Sequence, residues 1–374
     1  LYSSAASDVY KRQKLAKWSR EMDTTRYVIA NLILPTSSFE TGYTDVLDIA
    51  GFSYKPAQYD YLREKYPNKI MMGTENVPRW YEWKACIERD YIAGVFLWTG
   101  VDYLGERRAQ QWPQKATPEG PLDLAGFPRG SYYQFKSFWT DEPVIAIYTQ
   151  TAKLSIFKKD ADGNVVEKKK DYWKLAPRVW QNVNPHWNYS EGEKIIVEIY
   201  SNCDEIELFQ NGKSLGKQSL KDQEDRIFKW ATDYSKGKLT AVGTYKGKKV
   251  KETLETVDEA YSIKLVPDRK MMTANNTDVL HVVAQLVDKK GREVKNVDDE
   301  IKFTISGDYR FLGTDCGKTE KMDSFKKKMV KTEFGRCLLM IQSTKTPSDI
   351  TITATNESGS LKSKPLVIPV KEFN

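Results

Sequence analysis

The chain has 374 residues, of which 40% are hydrophobic and 29% charged, and carries a net charge of +7 at pH 7. That length favours two or three domains over one, that composition can fill a packed core, and no apolar run is long enough to cross a bilayer as a helix. His186 and His281 are the only histidines, and Cys86, Cys203, Cys316 and Cys337 lie far apart. These counts argue against a histidine-based triad, a His-rich zinc site, a CxxC metal pair and a disulfide framework, so no metal and no cofactor is expected. The positive charge is gathered in lysine runs such as "KGKKVK" (246–251) and "FKKKMVK" (325–331). Lysines protect sheet edges from aggregation, which is the reading preferred over a nucleic-acid footprint. Ten tryptophans and 12% aromatic residues suit surfaces that stack on sugars.

The first residues, "LYSSAASDVYKRQ", contain no apolar stretch of the kind a secretory signal needs. One back-translation of "DVYKRQ" is GATGTGTATAAGAGACAG, the form of a transposon end used to build sequencing libraries, so residues 1–13 are set aside from the fold reading. With no initiator Met, the expectation is the carboxy-terminal part of a longer protein.

Residues 14–142 alternate two periodicities. "TRYVIANLI" (25–33), "DVLDIAGFSY" (45–54), "KIMMGTE" (69–75) and "IAGVFLWTGVDYLGE" (92–106) read as strands with their following loops. "PAQYDYLREKYP" (56–67), "RWYEWKACIERDY" (79–91) and "RGSYYQFKSFW" (129–139) read as helices, the first stopped by Pro67. Strands alternating with helices predict βα units and a parallel sheet. After Pro143 the texture changes. Residues 143–184 read as a linker that packs on the α/β part. "EKIIVEIYSNCDEIELFQNGKSLG" (193–216) alternates apolar and polar residues around an Asn-Gly hairpin signal, and from Tyr261 a second block of short strands begins. The expected organisation is α/β at 14–142, then two β-sandwiches at 185–257 and 261–374.

In parallel α/β folds the carboxyl ends of strands carry the site. Three such ends bear suitable groups: Tyr54 after "DIAGFS", Glu75 after "IMMGT", and Trp98 with Asp102 after "IAGVFL". A carboxylate, a phenol and an indole at one mouth suit glycoside hydrolysis, where a carboxylate is acid, base or nucleophile and an indole is a platform for a sugar face. The bland alternative is a glutamate that only caps the next helix, with Tyr54 and Trp98 as core.

"DIAGFSYKPAQYDYLREKYPNKIMMGTEN" followed by "GVFLWTGVDYLGE" resembles glycoside hydrolase family 2, the β-galactosidase family, in its bacterial gut-type branch. "PHWNYSEGEKIIVEIYSNCDEIELFQNGKSLG" (185–216) resembles the immunoglobulin-like module that follows the catalytic barrel there, and "DRKMMTANNTDVLHVVAQLVDKKGREV" (268–294) resembles the next sandwich. The resemblance implies the second half of a (β/α)8 barrel followed by two Ig-like sandwiches, and a retaining exo-β-glycosidase, foremost a β-galactosidase. It implies that Glu75 is the nucleophile, that Tyr54 hydrogen-bonds it and tunes its ionisation, and that Trp98 packs beneath the terminal sugar. Asp102 would lie near the sugar or hold its loop, and Ser53 and Asn76 would contact sugar hydroxyls. The family's acid/base glutamate follows an asparagine on a strand with no counterpart here; the only such pair, Asn356–Glu357, falls in the last sandwich. The chain alone is therefore expected to be inactive.

The implied partner is an oligosaccharide or polysaccharide, without nucleic acid or membrane span, in a secreted or periplasmic parent that leaves room for a homo-oligomer. β-Glucuronidase and β-mannosidase specificities stay open, as does a non-catalytic carbohydrate-binding or adhesive role for the sandwiches.

Overall fold

The computed structural model describes residues 2–105, 114–175, 177–320 and 324–372. The chain divides into two compact units. The first comprises Leu1–Gly100, Glu119–Pro121 and Lys169–Trp180; the second comprises Val101–Pro118, Leu122–Lys168 and Gln181–Asn374.

The first unit opens with helix α1 (Tyr2–Met22), whose amino end is formed by the residues set aside above. Strands β1 (Ile29–Leu32), β2 (Ile49–Ser53), β3 (Ile70–Asn76) and β4 (Ile92–Leu97) follow, with helices α2 (Pro35–Glu40), α3 (Tyr59–Lys65) and α4 (Trp80–Ile87) between them. The strands pair side by side in the order β1-β2-β3-β4, every pair parallel. Parallel neighbours need a crossover, and the helical segments supply it. Leu32, Ala50, Phe52, Tyr59, Leu62, Met71 and Ile92 meet in one core between sheet and helices. Gly51 is required in the middle of β2. A Cβ there would stand 2.5 Å from the Ala30 carbonyl oxygen and equally close to the Thr74 side chain.

The helix predicted at 129–139 forms as α5 (Gly130–Trp139), but it belongs to the second unit. Tyr133 packs on Tyr148 with ring centroids 6.0 Å apart, and buried Gln134 donates from Nε2 to the Asp225 carbonyl at 3.1 Å. The expected 14–142 domain is corrected accordingly: from Val101 onward the chain joins the sandwiches, apart from Glu119–Pro121. Helical periodicity marks an apolar face without saying which surface covers it.

The second unit holds two sandwiches. In the first, β5 (Ile145–Thr151) joins β8 (Lys194–Ser201) and β11 (Ile227–Asp233) in one antiparallel sheet. The order β11-β8-β5 faces a second sheet, β10-β9-β12-β13, made of β9 (Glu205–Gln210), β10 (Lys213–Ser219), β12 (Lys238–Tyr245) and β13 (Lys248–Glu255). A small hairpin, β6 (Phe157–Lys159) and β7 (Val165–Glu167), lies before it in the chain. Residues 143–184 are thus not a linker. Their first part is a strand of this sandwich, which accordingly starts some 40 residues earlier than the expected 185 (185 − 145). Asn211 and Gly212 both adopt positive φ, 51° and 82°, as a two-residue hairpin turn demands. Ile195, Val197, Ile199, Ile206, Leu208, Phe228 and Trp187 fill the core.

The second sandwich stacks the sheet Ser262–Pro267, Val279–Val287, Arg336–Ser343 and Tyr309–Asp315 on the sheet Met329–Lys331, Glu300–Ser306, Ile350–Asn356 and Leu366–Ile368. It has a separate core, with Leu280, Val282, Ile301, Phe303, Leu339, Ile341 and Ile352 among its members. Both lysine runs end on edge strands: "KGKKVK" on β13, and "FKKKMVK" on Met329–Lys331. The joint between the sandwiches is tied. Asn188 exchanges two hydrogen bonds with the Val257 backbone, at 2.8 and 3.1 Å, and Arg292 donates to the Thr256 carbonyl at 3.0 Å and to Asp258 at 2.9 Å.

Candidate active site at the strand ends

Three strand ends of the first unit are laced together by their backbones. Tyr54 N–H donates to the Glu75 carbonyl at 2.8 Å, and Trp98 N–H donates to the Asn76 carbonyl at 2.8 Å. Tyr54, Glu75 and Trp98 thus come to one edge, as their spacing suggests.

The register explains how Glu75 is aimed. Phe52 pairs with Gly73, but Ser53 pairs with Glu75, so Thr74 is an extra residue in β3. A bulge of this kind re-aims the side chains that follow it, and bulges concentrate beside active sites. The glycine before it is a packing requirement. A Cβ on Gly73 would lie 2.1 Å from the Asn76 Oδ1.

The partly exposed Glu75 carboxylate has two partners. Asn31, near the end of β1, donates from Nδ2 to Oε1 at 2.5 Å, and Ser53 donates from Oγ to Oε2 at 3.3 Å. Thr74 donates its hydroxyl to the Asn31 Oδ1 at 2.7 Å. That bond fixes which way the Asn31 amide faces, and so turns its N–H groups toward Glu75. Ser53 therefore meets Glu75 itself. Asn31 was not among the residues singled out from the sequence. Its one signal is a polar side chain inside the apolar strand "VIANLI", which could not be placed without the register of β1 on β2.

Tyr54 takes up positive φ, 53°, and lies in contact with Arg178, whose guanidinium sits 3.9 Å from the ring centroid. The expected hydrogen bond from the Tyr54 phenol to the Glu75 carboxylate is not formed. What links the two residues is the peptide bond pair, Tyr54 N–H to Glu75 C=O. Asn76 also departs from expectation. It has no exposed surface, and its Nδ2 donates to Glu82 Oε2 at 2.5 Å. It braces β3 against α4 and offers nothing to a sugar hydroxyl, because the residue after Glu75 turns into the core. Glu82 is itself 4% exposed, and burial pushes its carboxyl up to about 7 against the pull of the Asn76 hydrogen bond. The Tyr59 phenol beside it is raised as well, chiefly by burial and then by the Glu82 charge.

Asp102 belongs to the second unit. It is buried and bonded to Arg129 at 2.6 Å, while its N–H donates to the Leu122 carbonyl at 3.0 Å. Of the two roles implied for it, this geometry is that of a residue holding its loop.

The chain thus combines a parallel α/β unit, with a carboxylate at a bulged strand end, and two β-sandwiches. Residues 263–365 match the family model described as glycoside hydrolase family 2 C-terminal domain 5, and residues 192–251 match a domain of unknown function, DUF4982. The chain is 28% identical to the β-galactosidase BoGH2A of Bacteroides ovatus over 92% of its own length and 42% of that protein's. It is 25% identical to a putative β-glucuronidase of Formosa agariphila, over 70% of this chain and 22% of that one. Among solved structures, a glycosyl hydrolase family 2 member from Bacteroides cellulosilyticus superposes with a TM-score of 0.86 at 28% identity, covering 99% of this chain and 48% of that one. The chain is thus similar to members of glycoside hydrolase family 2 across nearly its whole length, and it spans less than half the length of these relatives.

Proposed function

We propose that the first unit is the carboxy-terminal half of a (β/α)8 catalytic barrel in a retaining exo-β-glycosidase, and that Glu75 is its nucleophile. The observation that carries this reading is the placement of Glu75: at a bulged strand end, partly exposed, with both oxygens already hydrogen-bonded. A carboxylate so held presents a lone pair in a fixed direction, which is what displacement at an anomeric carbon requires. One Glu75 oxygen bonds to the anomeric carbon, the bond to the leaving oxygen breaks, and that oxygen departs with the electron pair. Water then cleaves the ester with retained configuration. Donation from Asn31 and Ser53 supports the ionised form before attack. Trp98, one strand over, is the platform proposed for the terminal sugar. The names of the relatives favour a β-galactoside or a β-glucuronide as substrate.

Retaining enzymes hold a second carboxyl about 5 Å from the nucleophile to protonate the leaving group. A test of Glu75 alone needs a probe that does without that second carboxyl. A 2-deoxy-2-fluoro glycoside with a dinitrophenolate leaving group departs without protonation, so ester formation tests the nucleophile alone. Incubation should add one fluoroglycosyl group to the peptide spanning 68–80, and Glu75→Gln should lower the rate by about a thousandfold or more. An ester on any other carboxylate, or equal labelling of the variant, would overturn the assignment.

A further inference from the structure

Residues Lys169–Trp180 leave the sandwich and become part of the first unit. Arg79, just ahead of α4, anchors this strap. It donates from Nε to the Pro177 carbonyl at 3.1 Å and from Nη2 to the Val179 carbonyl at 2.7 Å, and its guanidinium lies 4.0 Å from the Trp180 ring centroid. Trp173 meets Tyr81 edge to face at 6.3 Å.

The strap closes one side of a cleft of about 360 Å³. Tyr54, Lys55 and Tyr81 line it from the strand-end loops, and Lys174 and Arg178 line it from the strap. Three cations thus share one small space. The carboxylate in the cleft, Glu82, is buried and engaged by Asn76, and Lys174 is paired with Asp171 at 3.2 Å, which leaves Lys55 and Arg178 without an acidic partner in the cleft among the described residues. Arg178 is the most telling of them. Its guanidinium is stacked on Tyr54, and its buried Nη1 has no hydrogen-bond partner among the described residues. A buried cationic N–H without an acceptor is costly to keep, so its persistence points to an acceptor that arrives with a ligand. A guanidinium held flat against a ring keeps its edge for a planar or tetrahedral oxyanion, and the two tyrosines offer apolar faces to a sugar ring.

We propose that this cleft binds an anionic sugar unit, carrying a carboxylate or a sulfate ester, with Arg178 as the partner of the anionic group. The inference rests on the glycosidase reading and narrows its substrate to acidic glycans. Tyr54 links the two places, since its N–H is bonded to Glu75 and its ring to Arg178.

The test is direct binding to the full chain, followed by saturation-transfer NMR, with three probes: methyl β-glucuronide, methyl β-galactoside 6-sulfate and neutral methyl β-galactoside. One or both acidic probes should bind at least about tenfold tighter than the neutral one, and Arg178→Gln should remove about tenfold of that affinity, the value of one charge-assisted hydrogen bond. Binding of the uronide alone assigns a carboxylate, binding of the sulfated probe alone assigns a sulfate ester, and binding of both assigns a general anion site. If Arg178→Gln loosens the strap, seen as faster amide exchange at 172–180, the pair Lys55→Gln and Lys174→Gln should still weaken the acidic probes at least threefold by removing two nearby charges. No binding of either acidic probe, equal binding of the neutral one, or indifference to these substitutions overturns the proposal. Glu75 labelling distinguishes the two readings: lost anion binding with intact labelling sinks only the cleft assignment, and intact binding without labelling sinks only the nucleophile.

Discussion

The two units bury polar groups in different ways. In the second unit the sandwich cores are apolar, and three of the six buried acids among the described residues are matched by cations: Asp102 by Arg129, Asp225 by Lys229, Asp288 by Arg292. In the α/β unit, Ser53, Asn76, Arg79 and Glu82 are buried at the ends of strands and helices, and Glu82 is satisfied by a neutral amide. A buried ion pair holds a loop or sheet in place. A buried acid without a cation has its ionisation displaced instead, and such groups gather where chemistry is done. Asp123 and Glu198 in the second unit depart from the pattern: burial raises both carboxyls, Asp123 to about 6, and Glu198 is bonded to Gln181 and Tyr200 with no strand-end site beside it. The contrast is therefore between the ion-paired acids and Glu82 at the strand ends, and it can be tested at each.

The largest structural effect is expected in the sandwiches, where shape alone carries stability. Phe228 has no exposed surface and packs in the first sandwich core. Phe228→Ala should cost about 3–5 kcal/mol, the usual result of emptying such a site. Denaturant unfolding combined with amide exchange should show the loss in 194–201, with β3 at 70–76 unaffected. Equal loss in both segments would show that the units do not differ in this respect.

A somewhat smaller effect, of opposite sign at high pH, is expected at Glu82. Its carboxyl titrates at about 7 in the folded chain and near the ordinary 4.5 when unfolded. Between those values the folded state keeps a proton that the unfolded state has lost. Stability of this region should therefore fall as pH rises from about 4.5 to 7 and level off above, by about 3 kcal/mol in all. Glu82→Gln keeps the shape and removes the titration. Exchange of amides 70–76 should become independent of pH-linked stability in that window, with the variant more protected than the parent at pH 8. An unchanged slope would mean that another group is responsible.

The smallest effect is the most local. Asn31→Ala removes a donor to Glu75 and leaves the sheet core intact. The rate of fluoroglycosyl-ester formation should fall about tenfold, one charge-assisted hydrogen bond in size, while the chemical shifts of the sandwiches stay fixed. Indifference of the rate would mean that the bond to Asn31 does no positioning.

Legible along the chain were the four strands of the α/β unit with helices α3 and α4, though not α1 or α2, the switch to antiparallel β after residue 143, and the strand-end location of Tyr54, Glu75 and Trp98. These features are local. A period of two or 3.6, a terminating glycine and an Asn-Gly turn act within a few residues, so they can be read along the chain. The lysine runs were legible as edge protection for the same reason.

What only the tertiary structure decided depends on which segments meet. Asn31 became a partner of Glu75 through the pairing of β1 on β2 and the bulge at Thr74 between β2 and β3, two long-range registers. Asn76, one residue from the carboxylate, was taken into the core by Glu82, while Ser53, one strand away, was brought to Glu75. Helix α5 and strand β5, read as part of the α/β domain and as linker, found their apolar partners in the first sandwich. The strap at 169–180 returned to the α/β unit because Arg79, buried and rich in donors, has carbonyls there to satisfy it. A side chain's type sets what it can bond or bury; the three-dimensional packing of distant segments sets which partner it reaches.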